Sequence, residues 1–354
     1  MKILIAPDSF KGTLTALEVA DIISRAIGNN AECECLPLSD GGEGFCDSVY
    51  RACGGEMKTV LCHDIYYNEI KAPVLFLDKT AVIESAAASG LQAKKRVMLS
   101  SSYGTGELIK FALEQGYNDI ILGLGGTGCS DGGLGALSAL GVRFYDENQN
   151  VMQKPKSNDM NFVFGMSTRD CVKNINLTYA CDVENTYFGK NGAAFVFASQ
   201  KGANKTQIEE LDEGLQRLNA FFINDVSKLK GAGAAGGMCG GLYSVYGGSI
   251  ESGFDIVARL CDLDNKIKNS DVVITGEGKT DSQTLMGKAP FRIAELCKKY
   301  GKKCVVVSGC FDGVTLGDEM LSLIDDDVTA DEAVNNSREV LYKKVQKSLA
   351  IILK

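Results

Sequence analysis

Acidic and glycine residues follow short apolar runs at five places in this chain, and these residue types can hold anions and metal ions. Glycine lets backbone N–H groups approach an anionic group closely, and Asp and Glu oxygens bind hard cations. The combination predicts a site for a metal ion and a phosphate group. The five runs are ILIAPDSFKG from Ile3, CLPLSDGGEG from Cys35, IILGLGGTGCSDGG from Ile120, YACDVEN from Tyr179 and VVITGEGKTD from Val272.

The elements that position these residues follow from the same runs. A short apolar run that stops at Asp, Ser or Gly is typical of a buried strand leading into a turn. In open α/β sheets, ligands bind beyond the carboxyl ends of the strands. We therefore expect the five signatures to converge on one cleft.

The first run leads into a well-marked helix, which we predict over Ala16–Ile27. Thr15 as N-cap and Glu18 three residues later form a capping box. Ser9 and Lys11 then stand just before a helix amino terminus. The helix dipole and the free N–H groups of such a terminus favour an anion.

Strands and helices alternate at both ends of the chain, whereas the middle is more irregular and rich in glycine. This pattern predicts an α/β fold with two domains. A Rossmann-like, doubly wound domain would form from 1–90 and 272–354, and a second α/β domain would be inserted over 91–271, with the active site in the cleft between them. The predicted strands are 3–6, 33–38, 81–84, 119–122, 271–275 and 303–308, and the further helices are 106–115, 207–229 (capped by Thr206 with Glu209), 290–300 and 338–353.

Composition and charge exclude several classes of protein. The 354 residues are 45% hydrophobic and carry a net charge of −8, which argues against nucleic acid and a polybasic membrane patch as partners. No apolar run reaches the roughly 18 residues of a membrane span, and the first residues do not read as a signal peptide. The 13 cysteines form no C-x-x-C pair, so we expect reduced thiols and a cytoplasmic location. The single histidine, His63, nearly excludes histidine-based catalytic sites.

Two glycine motifs allow a different interpretation. GLGGTG at 123–128 follows a predicted strand and has Asp146 about 20 residues on, as a dinucleotide-binding motif requires. However, Cys129–Gly133 would occupy the start of the expected helix, and a second match in KGAGAAGG follows no strand. A NAD-dependent oxidoreductase acting on a small hydroxy acid remains the alternative enzyme, and a small-acid-binding protein is the alternative without catalysis.

Long and unusual strings recur along almost the whole chain. They are APDSFKGTLTALEVA (6–20), DGGEG (40–44), VIESAAASGL (82–91), SSYGTGELI (101–109), GLGGTGCSDGGLGALSALG (123–141), ACDVEN (180–185) with QKGA (200–203), GAGAAGG (231–237) and DVVITGEGKTDSQTLMGKAP (271–290). These strings resemble the type I glycerate kinases, a bacterial family that phosphorylates D-glycerate with ATP.

The resemblance implies ATP and Mg²⁺ as cofactors, D-glycerate as the small-molecule substrate and 2-phosphoglycerate, in preference to 3-phosphoglycerate, as the product, in a monomer or homodimer. The chain departs from the family in two loops and at Ser199, which stands where the family usually has Pro before QKGA. GGTGCSDGG stands where the family usually has GGSATNDGG, and DVENTY stands where it has a DV-[DE]-NPL sequence. These changes remove no charged residue, so they bear on loop shape and substrate fit more than on the reaction.

Phosphoryl transfer requires positioned groups, charges that screen the phosphate oxygens and a site for Mg²⁺. Asp8, Asp40 and Asp182 are candidates both for accepting the hydroxyl proton and for holding the metal ion. We assign Lys11, Asp182 and Asp8 to catalysis. The remaining assignments are Ser9, Asp281, Glu277 and Lys279 to the substrate, Gly125, Gly126, Thr127 and Asp131 to the nucleotide phosphates, and Asp40 and Glu43 to the metal ion.

Overall fold

The computed structural model describes residues 1–39, 41–42 and 44–354. Its strands are β1 Lys2–Ile5, β2 Glu32–Cys35, β3 Glu56–His63, β4 Glu69–Phe76, β5 Thr80–Glu84, β6 Asp119–Gly123, β7 Arg143–Tyr145, β8 Gly165–Ser167, β9 Asn176–Ala180, β10 Ser249–Glu251, β11 Val272–Thr280, β12 Lys303–Phe311 and β13 Glu319–Ser322. Its α-helices are α1 Ala16–Ile27, α2 Phe45–Cys53, α3 Ser85–Ser89, α4 Tyr103–Glu114, α5 Leu134–Ala139, α6 Ala193–Phe197, α7 Lys205–Phe221, α8 Met238–Tyr246, α9 Gly253–Leu260, α10 Leu263–Lys268, α11 Ala289–Tyr300, α12 Ala330–Asn335, α13 Ser337–Lys347 and α14 Leu349–Ile352.

The chain forms two compact units, which confirms the predicted α/β class with two domains. Unit 1 contains 1–39, 47–54 and 254–354, and unit 2 contains the described residues of 40–46 together with 55–253. These bounds differ from the predicted 1–90 with 272–354 and 91–271. Residues 55–90 belong to unit 2 because β3, β4 and β5 pair into the same sheet as β6. Residues 254–271 belong to unit 1, where α10 packs on α11.

Unit 1 is built on a five-stranded sheet in which every strand pair is parallel. The order is β13-β12-β11-β1-β2. Numbered within unit 1, this is the 2-1-3-4-5 order of a doubly wound sheet, whose ligand site lies where the strand order reverses, between the first and third strands. Here those strands are β1 and β11, so the topology places a site at their carboxyl ends.

The first helix of unit 1 is specified locally, as predicted. The Thr15 N–H donates to Glu18 Oε2 at 2.9 Å, and the Glu18 N–H donates to Thr15 Oγ1 at 3.2 Å. The inward side of α1 carries Val19, Ile22 and Ile23, which are buried with the apolar residues of β1, β11 and β12. This packing fixes the amino end of α1 beside the end of β1.

Unit 2 contains a six-stranded mixed sheet in the order β10-β9-β6-β5-β4-β3. The β3–β4 and β4–β5 pairs are antiparallel, while β5, β6, β9 and β10 run parallel. Gly123 at the end of β6 is paired with Ala180 at the end of β9. The glycine-rich loop after β6 and the acidic loop after β9 therefore start side by side.

The structure corrects two predicted helices. The long helix of unit 2 is Lys205–Phe221, not 207–229, and its capping box uses Asn204 and Gln207 in place of Thr206 and Glu209. The final helix predicted over 338–353 is divided into α13 and α14, with Ser348 between them.

Candidate active site

The first candidate region is a cavity of about 320 Å³ in unit 1, which we call the lysine pocket. It lies at the β1–β11 position that the strand order indicates. It is lined by Asp8, Ser9, Phe10, Lys11, Thr13, Glu277, Gly278, Lys279, Asp281, Lys288, Gly309, Leu323, Ile324, Ala333, Val334 and Ser337. The structure thus brings together every catalytic and substrate residue that the sequence placed in 1–39 and 272–354.

A tight turn after β1 positions Asp8, Ser9 and Lys11. After the end of β1 the chain continues alongside β11, since the Asp8 N–H donates to the Gly276 carbonyl at 2.9 Å. The Ser9 N–H donates to the Asp8 carboxylate at 2.6 Å. Gly12, with φ of +85°, then allows the turn to reverse before α1. Lys11 is consequently an exposed residue on the rim of the pocket, ahead of the helix start.

Glu277 is the buried carboxylate of the lysine pocket, with 6% of its surface exposed. Its Oε1 accepts a hydrogen bond from the Thr284 hydroxyl at 2.5 Å, and the same hydroxyl accepts one from the Asp281 N–H at 3.1 Å. Its Oε2 lies 3.6 Å from the Lys288 ammonium. Glu277 therefore ties the end of β11 to the amino end of α11, where Lys288 is the N-cap residue.

Lys279 is held by carboxylates on two sides. Its ammonium lies 2.9 Å from Asp312 Oδ2 and 3.7 Å from Asp281 Oδ2. The hydrogen bond to Asp312 raises the pKa of Lys279, so the side chain is cationic at neutral pH. A ligand carboxylate or phosphate in the pocket would meet a charged ammonium that is already oriented.

The second candidate region is a cavity of about 470 Å³ in unit 2, which we call the glycine pocket. It is lined by Leu91, Leu124, Gly125, Gly126, Thr127, Ala180, Cys181, Asp182, Val183, Phe197, Gln200, Lys201, Ala234, Ala235 and Gly236. Three residues predicted to bind nucleotide phosphates and the predicted catalytic residue Asp182 therefore line the same cavity. Its wall combines backbone-rich glycine segments with apolar side chains, a composition suited to a nucleotide.

Close backbone packing explains the glycines after β6. The Gly125 N–H donates to the Gly41 carbonyl at 3.1 Å, and a Cβ at position 125 would lie 2.4 Å from the Gly42 Cα. Gly126 has φ of +74° and accepts, through its carbonyl, a hydrogen bond from the Leu91 N–H at 3.1 Å. The loop thus needs glycine for both space and backbone conformation.

Asp131 does not line either pocket. It is fully buried, and its Oδ2 accepts hydrogen bonds from the Ser102 N–H at 2.7 Å, the Ser102 hydroxyl at 2.9 Å and the Gly135 N–H at 3.0 Å. Its Oδ1 accepts one from the Gly133 N–H at 3.2 Å. Burial nevertheless raises the pKa of Asp131. The geometry favours an architectural role, because a buried anion with its oxygens occupied repels phosphate.

Lys201 is a charged residue of the glycine pocket that the sequence assignments missed. Only 3% of its surface is exposed, and its ammonium donates to the Cys129 carbonyl at 2.5 Å. Burial lowers the pKa of Lys201 and raises that of the neighbouring Cys129 thiol to about 12. Lysine is rarely buried without a partner, so nothing in the string QKGA alone indicates this placement.

Lys288 was also missed, although one sequence signal marks it. It stands immediately before Ala289-Pro290, where proline indicates the first turn of a helix. A cation at a helix amino terminus is opposed by the helix dipole. Lysine at this position therefore indicates an acidic partner or an anionic ligand, and the structure supplies Glu277 as the partner.

The predicted metal residues Asp40 and Glu43 lie outside the described residues. Over 1–39, 41–42 and 44–354, no group of three or more His, Cys, Asp or Glu side chains is arranged to hold a metal ion. Mg²⁺ in phosphoryl-transfer sites commonly takes one or two carboxylates and completes its shell with water and phosphate oxygens. Asp182 in the glycine pocket fits that smaller requirement.

The loop after β6 does not have the geometry of a dinucleotide-binding motif. In that motif a helix opens within the glycine sequence so that its amino end meets the pyrophosphate. Here α5 begins at Leu134, six positions after the last glycine of GLGGTG. The second match ends in the short 3₁₀ segment Ala234–Gly237, whose Ala235 and Gly236 have positive φ.

Three further expectations can be compared with the structure. The 13 cysteines, all within the described part of the chain, are free thiols. His63 ends β3 and pairs with Glu107 at 2.9 Å, outside the residues that line the two pockets. Among the residues with described coordinates, no helix combines the length and the apolar character needed to cross a membrane.

Comparison with known proteins identifies one family. Residues 3–353 match the glycerate kinase family. A glycerate kinase of Bacillus cereus is 42% identical over 325 residues, covering 87% of this chain and 85% of the relative. A glycerate 2-kinase of Escherichia coli K12 is 39% identical, with coverage of 87% and 85%. A crystal structure described as a glycerate kinase 2 from Salmonella typhimurium LT2 superposes with a TM-score of 0.85 at 35% identity, covering 99% of this chain and 98% of that one.

Proposed function

This chain belongs to the glycerate kinase family, whose members are phosphotransferases with an alcohol acceptor, and we propose that it transfers the γ-phosphoryl group of ATP to D-glycerate. The observation that carries the proposal is the lysine pocket at the β1–β11 switch point of unit 1. It places Lys11, Lys279 and Lys288 around one small cavity. Three ammonium groups suit a substrate that brings a carboxylate and acquires a phosphate.

The lysine pocket supports a substrate site for a small hydroxy acid. Ser9 and Asp281 offer polar groups for hydroxyls, and Lys279 offers a fixed cation for the carboxylate. Glu277 keeps Lys288 beside the cavity. Lys11, just before α1, is proposed to stabilise the charge that develops on the transferred phosphoryl group.

The reaction needs a base for one proton. A glycerate hydroxyl oxygen attacks the γ-phosphorus, the bond from this phosphorus to the bridging oxygen of ADP breaks, and the hydroxyl proton passes to a carboxylate. We assign that carboxylate to Asp182 and keep Asp8 as the second catalytic candidate. Both belong to loops that follow parallel strands, which are usual positions for reactive groups in α/β sheets.

The glycine pocket is the proposed site of the nucleotide phosphates, which would contact the backbone at Gly125, Gly126 and Thr127. Asp131 is not included among the phosphate-binding residues, because its hydrogen bonds hold the loop after β6 in place. Mg²⁺, when bound, neutralises charge on the phosphate oxygens. We propose Asp40 and Glu43 as the protein ligands of Mg²⁺. Both lie outside the described residues.

We further propose 2-phosphoglycerate as the product and the cytoplasm, where ATP is supplied, as the compartment. The 39% identity to an Escherichia coli protein named glycerate 2-kinase supports the choice of hydroxyl. Phosphorus NMR distinguishes the 2-phosphate from the 3-phosphate by coupling to one proton or to two. A 3-phosphate would overturn this choice and leave the kinase assignment intact.

Ligand-induced melting shifts test the function as a whole. Stabilisation by MgATP and by D-glycerate is expected, with no shift from NAD at the same concentrations, because a ligand stabilises the folded state that binds it. Turnover of ATP and D-glycerate to ADP should accompany the shifts. A shift with NAD would indicate the oxidoreductase, and a shift with glycerate without ATP turnover would indicate a binding protein.

A further inference from the structure

Within the described residues, the charge of Lys201 is only partly compensated. It is the one lysine or arginine that is buried among the residues the structure describes. An ammonium group has three N–H donors, and its described hydrogen bond is the one to the Cys129 carbonyl. A buried cation is expected to be paired, since removing it from water is costly.

Asp131 attracts Lys201 but does not pair with it. The attraction opposes the effect of burial on the pKa of Lys201. However, the carboxylate oxygens of Asp131 already accept four hydrogen bonds from Ser102, Gly133 and Gly135. The carbonyl of Cys129 and the charge of Asp131 hold the ammonium in place and leave capacity for a further anion.

A turn closed by two backbone hydrogen bonds carries Lys201. It ends the 3₁₀ segment Ser199–Lys201, and Gly202 follows with φ of +93°. The Gly202 N–H donates to the Ser199 carbonyl and the Ala203 N–H to the Ala198 carbonyl, both at 3.0 Å. These two hydrogen bonds hold the backbone at Lys201 and so fix the direction of its Cα–Cβ bond.

The cavity that Lys201 faces has the features of an anion site. Gly125, Gly126, Thr127 and Ala235 line it. Ala235 has φ of +54°, a left-handed conformation that is energetically unfavourable for any residue with a side chain. Such strain is found at ligand sites more often than elsewhere. A buried cation, a glycine loop and a strained segment meet at one cavity.

We infer that Lys201 is the protein's counter-ion for the phosphate chain of the bound nucleotide. The inference rests on the proposed function, since it assigns the nucleotide to the glycine pocket. The ammonium would donate to phosphate oxygens while keeping its hydrogen bond to Cys129. Adenosine, which has no phosphate, would gain nothing from it.

Proton linkage gives a readout that a merely structural lysine would not. Burial lowers the pKa of Lys201, and an adjacent phosphate favours the protonated form and raises this pKa again. In the pH range between the two values, nucleotide binding must take up a proton. Calorimetry in buffers of different ionisation enthalpy should detect this uptake for ADP and not for adenosine.

The mutational test compares Lys201→Met with Lys205→Met, a control at an exposed lysine four residues later. Truncating one member of a buried charge pair commonly weakens binding by about 30-fold or more. We expect at least that loss for ADP and for inorganic tripolyphosphate in Lys201→Met, with adenosine affinity within about threefold. Lys205→Met should bind all three ligands as the parent does.

Two outcomes would overturn the inference. Equal losses for ADP and adenosine would show that Lys201 only maintains the loop, and an unchanged ADP affinity would remove it from the site. If Lys201→Met does not fold, absence of the ADP-specific proton uptake in the parent protein would overturn the inference instead. Failure of kinase turnover with retained, Lys201-dependent tripolyphosphate binding would refute the proposed function alone.

Discussion

The lysine pocket and the glycine pocket are both suited to anions, but they use different groups. The lysine pocket presents exposed side chains, Lys11, Lys279 and Lys288, on turns and strand ends. The glycine pocket presents backbone at close-packed glycines and one buried ammonium. Exposed charges are screened by salt and can be removed without leaving a void. Buried groups are tied to the packing around them, so changes there affect folding and binding together.

The largest expected effect is a loss of kcat, and it tests which pocket supplies the catalytic base. Asp182→Asn should lower kcat at saturating Mg²⁺ by about 10²-fold to 10⁴-fold, the range for loss of a general base. Asp8→Asn is the matched variant in the lysine pocket, and Asp40→Asn should mainly raise the Mg²⁺ concentration for half-maximal rate. A larger kcat loss in Asp8→Asn would move the base to the lysine pocket. A shifted Mg²⁺ requirement in Asp182→Asn with none in Asp40→Asn would reverse the roles of those two residues.

The next effect tests whether exposed cations act on the rate without affecting stability. Lys11→Ala should lower kcat by about 10²-fold or more, because a preorganised charge is lost from the transition state. Its melting temperature should stay close to that of the parent, since Lys11 is exposed. Lys298→Ala, at an exposed site on α11, is the control. A kcat within about threefold of the parent would remove Lys11 from the reaction.

The glycine pocket should respond to a single methyl group. Gly125→Ala places its Cβ 2.4 Å from the Gly42 Cα, so backbone must move. Overpacking of this kind costs about 1–3 kcal/mol, and we expect ADP affinity to fall about tenfold or more. Gly165→Ala is the matched control in unit 2, because its Cβ would have neighbours at an ordinary 3.7 Å. Equal ADP affinity in both variants would contradict a loop in contact with phosphate.

The smallest effect concerns the start of α1, beside the lysine pocket. Glu18→Gln should reduce the unfolding free energy by less than about 1 kcal/mol, since the Glu18 side chain is partly exposed to solvent. The Thr15 N–H hydrogen bond contributes to holding the pKa of Glu18 below its usual value. The stabilisation is therefore present above about pH 4.5 and is lost as the pH falls through the folded-state pKa. Chemical denaturation at pH 7 and pH 4 measures the difference in unfolding free energy between the parent and Glu18→Gln, with Glu295→Gln as the control. An equal difference at both pH values would contradict the prediction.

Features that depend on nearby residues could be predicted from the sequence. The capping box of Thr15 and Glu18 and the turn that carries Lys11 involve neighbours within a few positions. The cap of α7 was misassigned because Asn204 with Gln207 and Thr206 with Glu209 give competing signals two residues apart. Local rules do not decide between them.

Features that depend on distant residues could not be predicted. Asp131 reads as a phosphate-site residue among glycines, yet its role follows from Ser102, 29 positions earlier. Lys201 contacts Cys129, which is 72 positions away. The residue type alone predicts that a lysine is exposed to solvent. The assigned charged residues that line the lysine pocket are those whose loops directly follow the predicted strands.

The order of the unit 1 sheet has a consequence for synthesis on the ribosome. Ile3 of β1 pairs with Val272 of β11, so the amino-terminal strand has no partner on that side until more than three quarters of the chain has emerged. Residues 55–253 of unit 2 are complete before then. Long-range pairing of this kind slows folding and leaves strand edges exposed in the meantime. The nascent chain thus carries an open apolar strand through most of translation, which makes β1 the segment that a chaperone is expected to shield.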